Sequence, residues 1–289
     1  SRPVAPTLQR RAASCRNSRK FHRIILLPVI GFARSIICNC ILAARENRIP
    51  GSTYFDGWII MGKTYLYIGA WNKPSEFGEC GITVAEFDPK KAKITPIATQ
   101  FPQISCGAMK VDPVKKILYA VDERREIEGK TFGGMLYAFA IRQETGLLMP
   151  LSAGPAFGIQ PSFIEYDGAY LLETNHATDQ YIIRTERDEE GKLHAVKIKD
   201  ESSVVLFARK ADGSVGEALD VLTFDQKEWD VPEVGSSSAR NSHIHAVVKL
   251  PGTDRYVVTD KGLDAVYTLA IDEGSKKLVW IGTWKSAAE

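Results

Sequence analysis

Residues 236–272, SSSARNSHIHAVVKLPGTDRYVVTDKGLDAVYTLAID, carry the reading that decides the fold. A His-x-His pair (His243, His245) opens one apolar run, and Pro251 and Gly252 turn the chain. A second run ends in Asp260-Lys261-Gly262, and a third alternates apolar and polar residues. Short runs rich in Val, Ile and Tyr, bounded by Pro, Gly and Asp, are the pattern of strands joined by hairpins. The stretch reads as one antiparallel unit with polar residues gathered at its strand ends.

The same unit recurs upstream. Ile82 of ITVAEFDPKKAKI, Leu136 of LYAFAIRQETGLL, Val204 of VVLFARKADGSVG and Val266 of VYTLAIDEGSKKL align at spacings of 54, 68 and 62 residues. Each copy is a strand, a polar turn and another strand. A second column, ILYAVDE, YLLETNH and RYVVTDK, comes after the turns VDPVKK, YDGA and KLPGTD in step with the first. No segment after Thr64 carries the apolar periodicity of an amphipathic helix. Four-strand units at this spacing predict an all-β chain built as a β-propeller, with about four recognisable blades. The longest excess lies between His176 and Val204, where QYIIRTERDEEGKLHAVKI predicts an inserted hairpin.

Composition narrows the class without naming a function. In 289 residues, 44% hydrophobic and 25% charged is an ordinary globular mixture. The net charge of +2 comes from 37 Lys and Arg against 35 Asp and Glu, with much of the excess in residues 1–25, so no nucleic-acid partner is expected. Cysteines at 15, 38, 40, 80 and 106 form no CxxC pair and no even framework; they read as reduced thiols of a cytoplasmic protein.

Residues 1–60 do not resemble the rest of the chain. RRAASCRNSRKFHR is basic and IILLPVIGFARSIICNCILAA is apolar but interrupted by Arg34 and Asn39. A basic flank before an apolar run is the arrangement of a signal peptide or anchor. A charge near the middle of a span costs about 2.5–3.5 kcal/mol on insertion scales, which argues against a membrane-spanning helix. The preferred reading takes Met61 as the natural start and residues 1–60 as a poorly packed leader of other origin, with 61–289 as the partial propeller.

The motifs YLYIGAW, GITVAEFDP, ILYAVDE, QPSFIEYDGAYLLETNH, FARKADGSVGEA and ARNSHIHAVVKLPGTDRYVVTDKGLDAVYTLAID, in this order from about Tyr65 to Trp284, resemble the seven-bladed lactonase propellers. That family includes one type of 6-phosphogluconolactonase and the carboxymuconate cyclases. The resemblance implies hydrolysis of a small-molecule sugar lactone. It also implies that the family's Gly-Pro-Arg-His segment, with the Arg and Glu supplied after it by a fifth blade, is missing here, as are about three blades. The expected consequence is a destabilised fragment, a closure with fewer blades, or self-association through the open propeller edge.

The resemblance places His245 on the central channel, where neutral imidazole would activate water, with His243 two residues earlier. Arg240 would hold the carboxylate or phosphate of an acidic sugar lactone through a forked pair of bonds, and His245 and Arg240 form the catalytic set. The column Asp122-Glu123, Asn175-His176, Asp260-Lys261 sits at the ends of equivalent strands and so gathers at one mouth of a propeller. From it, Glu123, His176 and Asp260, together with His243, are the candidate substrate-binding residues. Asp and Asn are also ordinary turn formers there. His243 and His245 with Asp260 or Glu123 offer two imidazoles and a carboxylate, which do not define a metal site; no metal and no cofactor is expected. There is no G-x-S-x-G for a serine nucleophile, and GKTFGG lacks the upstream glycine of a phosphate loop. Two readings result: a lactonase, or a non-catalytic propeller serving as a binding module.

Overall fold

The computed structural model describes residues 38–43, 63–71, 80–127, 129, 132–224, 227–229 and 241–285. Among these residues there is no helix, and the strands form four four-stranded antiparallel sheets and one three-stranded sheet. The first sheet is β1 (Cys38–Ala43), β2 (Thr64–Ala70), β3 (Gly81–Asp88) and β4 (Lys93–Gln100). The second is β5 (Cys106–Asp112), β6 (Ile117–Asp122), β7 (Met135–Ile141) and β8 (Leu148–Pro155). The third begins with β9 (Pro161–Asp167) and β10 (Tyr170–Asn175), then departs into β11 (Tyr181–Arg187) and β12 (Leu193–Lys199) before returning as β13 (Ser202–Arg209) and β14 (Val215–Phe224). β15 (Lys227–Trp229) pairs back onto β12 and completes the small sheet. The fourth is β16 (Ile244–Lys249), β17 (Arg255–Asp260), β18 (Ala265–Asp272) and β19 (Lys277–Lys285).

Both columns of the sequence repeat coincide with strand positions. Ile82, Leu136, Val204 and Val266 lie in β3, β7, β13 and β18, the third strand of each sheet. The inserted hairpin is present as β11–β12, and β15 adds a strand that hydropathy alone did not mark. The first sheet draws β1 from within residues 1–60, paired from Cys38↔Ala70 to Ala43↔Tyr65, so the sheet boundary does not coincide with the expected division at residue 60. Pairing satisfies the edge of β2, which would otherwise stand open.

Aspartates set the hairpins. Asp88 Oδ1 accepts from the Lys90 and Lys91 amides at 2.9 and 3.2 Å, Asp112 Oδ1 from Val114 and Lys115 at 2.8 and 3.0 Å, and Asp272 Oδ1 from Gly274 and Ser275 at 2.8 and 3.2 Å. A short carboxylate that binds backbone two and three residues on is a turn in itself.

The sheets bury both faces of their middle strands, which is why these strands read as continuous apolar runs. In β6, Leu118 and Ala120 pack with Tyr67, Ile82 and Val84 of the first sheet, whereas Tyr119 and Val121 pack with Ile164, Leu171 and Phe207 of the third. On the far side, Leu172, Val204 and Leu206 meet Ile244, Val247, Tyr256 and Val258 of the fourth. Alternate side chains of one strand therefore serve two interfaces, and each fully buried Leu, Ile or Phe contributes about 1.5–3 kcal/mol. Among the described residues no helix is long and apolar enough to cross a membrane.

Candidate functional site

β6, β10 and β17 end at one rim of the sheets in Asp122, Asn175 and Asp260, all buried. These three hold loops. Asp122 Oδ1 accepts from the Ser105 amide at 3.3 Å and from Arg124 Nε at 2.9 Å, and Asn175 Nδ2 donates to the Ala156 carbonyl at 3.0 Å. Asp260 accepts from the amides of His243, Gly262 and Leu263 at 2.8, 2.9 and 3.1 Å, from Ser242 Oγ at 2.6 Å and from the Tyr267 hydroxyl at 3.0 Å. With five donors on its two oxygens, Asp260 is turned into the loops and away from the rim. The next residue in each case, Glu123, His176 and Lys261, has left the strand and is more exposed.

The fourth sheet brings in the histidine pair. The β16–β17 register shifts between Ile244 and Ala246, and a bulge of this kind re-aims the side chain of the residue it skips, here His245. The His245 carbonyl accepts from Ser162 Oγ at 3.0 Å and Thr174 Oγ1 at 3.3 Å, which ties the bulge to the third sheet and leaves its ring exposed. The His176 ring stacks on His243, centroids 4.7 Å apart at 17°, and meets His245 edge-on at 5.9 Å and 82°. Three imidazoles from two sheets thus share one space.

Hydrogen bonds assign their roles. His176 Nδ1 lies 2.9 Å from the Ala177 carbonyl, which can only accept, so Nδ1 carries the proton and the buried Nε2 is a lone pair without a partner. Both nitrogens of His243 face oxygens, Nδ1 the His176 carbonyl and Nε2 the Asp179 carboxylate, each at 3.1 Å. His243 therefore holds the root of the inserted sheet, and Asn241 Nδ2 reaches the same carboxylate at 3.4 Å.

Burial and Lys261 set the electrostatics of the group. Burial pushes the Glu123 carboxyl up to about 8, with Lys261 opposing and Asp122 adding to the rise. Burial lowers His176 to about 4 despite its bond to Ala177, with Lys261 and the other two histidines contributing. His245 is lowered as well, by the crowding of its neighbours first and by Lys261 second, although one side of its ring is open. At pH 7 the group therefore offers two neutral imidazoles, a protonated carboxylic acid and Lys261, which acts on all three. A base, an acid and a cation that act on one another can add water to a carbonyl and stabilise the resulting oxyanion.

Of the residues singled out from sequence, Glu123, His176, His243 and His245 are brought together. Asp260 stands behind them, and Arg240 lies outside the described residues. Lys261 was in the aligned column but was not chosen. The signal was present, since Glu123, His176 and Lys261 occupy the same place one residue past the strand. Glu173 was also passed over: it is fully buried, Oε2 takes Asn175 Nδ2 at 3.0 Å, Oε1 has no partner, and burial raises its carboxyl well above the ordinary range. Among the described residues no group of three or more His, Cys, Asp or Glu is arranged to hold a metal ion.

The sequence model of the family described as "Lactonase, 7-bladed beta-propeller" matches residues 65–288. Among solved structures, a candidate 6-phosphogluconolactonase from Bacteroides fragilis superposes with a TM-score of 0.58 at 18% identity, over 80% of this chain and 57% of that one. A candidate 6-phosphogluconolactonase from Bacteroides uniformis gives 0.40 at 16% identity, over 78% and 68%. The periplasmic gluconolactonase of Pseudomonas aeruginosa gives 0.33 at 15%, over 76% and 82%. No curated protein matches the chain. The chain spans 57% of the length of the Bacteroides fragilis protein, and at that identity the superposition shows the fold alone.

Proposed function

Since the chain belongs to the seven-bladed β-propeller lactonase family, we propose that it hydrolyses a sugar lactone, 6-phosphogluconolactone being the first substrate to try, with water activated beside His245. The observation that carries this reading is the convergence of His245, His176, Glu123 and Lys261 at one rim, with burial first and Lys261 after it depressing the basicity of both histidines. His245 is the base because its ring is both uncharged at neutral pH and open to solvent.

In this mechanism water gives a proton to His245 as its oxygen adds to the lactone carbonyl. The oxyanion forms toward Lys261. When the ring C–O bond breaks, the departing alkoxide takes the proton of Glu123, and the imidazolium returns its proton through water to the Glu123 carboxylate. The carboxylic acid product ionises into solvent. His243 keeps the Asp179 loop in place, and Arg240 anchors the carboxylate or phosphate end of the substrate.

The test is hydrolysis of freshly made 6-phosphogluconolactone by the full chain beside His245→Ala. A rate above the spontaneous background that drops about 10²–10⁴-fold in the variant, the usual effect of losing a general base, supports the reading. Absence of any rate above background overturns it and leaves the rim as a binding site.

A further inference from the structure

Gly107 lies in β5, buried, in a backbone conformation that any residue adopts. No turn or left-handed φ requires glycine there, and glycine inside a strand gives up packing and backbone entropy. The obstacle to a larger residue is specific. A Cβ built on Gly107 would stand 1.4 Å from Glu123 Oε1, 2.0 Å from its Cδ and 2.8 Å from its Cγ, and these three Glu123 atoms are the nearest ones it would meet. The carboxyl of Glu123 lies in the space that a side chain at 107 would fill.

Two glycines near the rim, Gly262 and Gly69, are different, whereas Gly158 faces the Asn175 side chain at 2.3 Å. A Cβ on Gly262 would stand 1.8 Å from the Asn241 carbonyl oxygen, and one on Gly69 2.6 Å from the Cys106 carbonyl oxygen. Backbone cannot step aside, so those glycines serve the fold. At Gly107 the three nearest atoms all belong to the end of a flexible side chain, which alanine would have to displace.

We propose that Gly107 is a positioning residue for the acid of the site: by lacking a side chain it seats the Glu123 carboxyl against β5, partly withdrawn from water. This rests on the lactonase reading only in calling Glu123 the acid; the seating itself is a property of the free chain. β5 bends where the seat forms, since its pairing with β6 shifts register between Cys106 and Met109. The charged and titratable groups around the seat are Lys261 from the turn after β17, Asp122 from β6, held by Arg124, and the Cys106 thiol on β5 itself, which burial first and Glu123 second push up. Expelled from the seat, the carboxyl gains water, which favours the ionised form.

The experiment titrates Glu123 directly in the full chain without substrate, by carbon NMR of isotope-labelled glutamate, the resonance being assigned by its loss in Glu123→Gln. In the parent chain it is expected to titrate near pH 8, and in Gly107→Ala to move several units toward the ordinary 4.5. The protonated fraction at pH 7 then falls from about nine-tenths to about one part in a hundred or less. Lactone hydrolysis at pH 7 falls about a hundredfold with it, and the alkaline limit of the pH profile moves the same way. In a Glu123→Gln background the alanine should leave the pH profile unchanged. An unaltered Glu123 titration in Gly107→Ala overturns the proposal. If Gly107→Ala does not fold, the Gly107→Ala, Glu123→Ala double variant decides: recovery of folding upholds the clash with the carboxyl, and continued failure assigns the glycine to the backbone and overturns the proposal. A chain that shows the titration shift but hydrolyses no lactone refutes the proposed function and keeps the seat. A chain that hydrolyses lactone without the shift does the reverse.

Discussion

The two ends of the sheets treat their polar groups in opposite ways. At the end away from the histidines, Asp112 at the close of β5 is ion-paired with Arg209 of β13, which also donates to the Tyr119 hydroxyl at 2.7 Å and the Gly168 carbonyl at 3.1 Å. The Arg209 guanidinium lies 5.0 and 5.6 Å from the ring centroids of Tyr166 and Tyr119. One interface further on, Asp167 at the close of β9 accepts from Lys249 and from the Tyr256 hydroxyl. At the histidine end, Glu173 Oε1, Asn175 Oδ1 and His176 Nε2 are buried without partners. A buried polar group left unpaired costs about 1–3 kcal/mol, so saturated groups tie sheets together and unsaturated ones keep capacity for something else. At the histidine end Asp260 is saturated as well, and the contrast lies in the three buried atoms left without partners.

The largest test of that contrast is Arg209→Ala. It leaves the Asp112 carboxylate buried without its charge partner, a change that costs about 3–5 kcal/mol. Chemical denaturation should show the loss, while the folded fraction keeps the parent pH profile. A loss below about 1 kcal/mol would mean that the pair is not what joins the second and third sheets.

Glu123→Gln addresses the other end. In the proposed mechanism Glu123 acts in its protonated form, and burial pushes its carboxyl up to about 8, so parent activity should fall as the pH rises through 8. The variant should lose that alkaline limb and about a hundredfold in kcat at pH 7, and, having no proton to hold, its stability should decline less than the parent's as the pH rises from about 4.5 toward 8. Persistence of the limb would move the acid to another residue.

The smallest effect is expected at Glu173→Gln. The folded pKa of Glu173 lies above its unfolded value, so the folded state holds a proton that the unfolded chain has released, and parent stability declines as the pH rises from about 4.5 toward the folded value. The amide has no proton to hold. Melting curves from pH 4 to pH 8 should therefore decline less in the variant, with the two proteins alike at pH 4 and the variant more stable at pH 8. Parallel curves would show that Glu173 is ionised or solvated in the folded chain.

Much of the architecture was legible because it is written in local chemistry. Strand period, Asp-led turns and the two repeating columns need only neighbours within a hairpin, so ITVAEFD, LYAFAI, VVLFAR and VYTLAI identified the third strand of every four-stranded sheet. β15 was missed because Lys227–Trp229 is too short to show a period and exists by pairing with β12. β1 was missed for the same kind of reason: its residues pair with β2 from a stretch that the sequence assigned to a leader.

For the site, the sequence by itself determined the column that reaches the rim and the His-x-His pair beside it. It did not decide which residue of each pair faces the rim. Asp260 was chosen over Lys261, yet Asp260 is drawn inward by amides of residues 243, 262 and 263, donors that only the folded loop places around it. Tertiary structure alone raised the Glu123 carboxyl, because its burial outweighs the opposing charge of Lys261, and Gly107 of β5 leaves the space its carboxyl fills. It also gave Gly107 its meaning, since a glycine in an ordinary strand conformation carries no local signal. Propensity and turn chemistry act over a few residues, whereas desolvation and exclusion depend on which distant strand lies alongside, and that is settled only when the sheets pack.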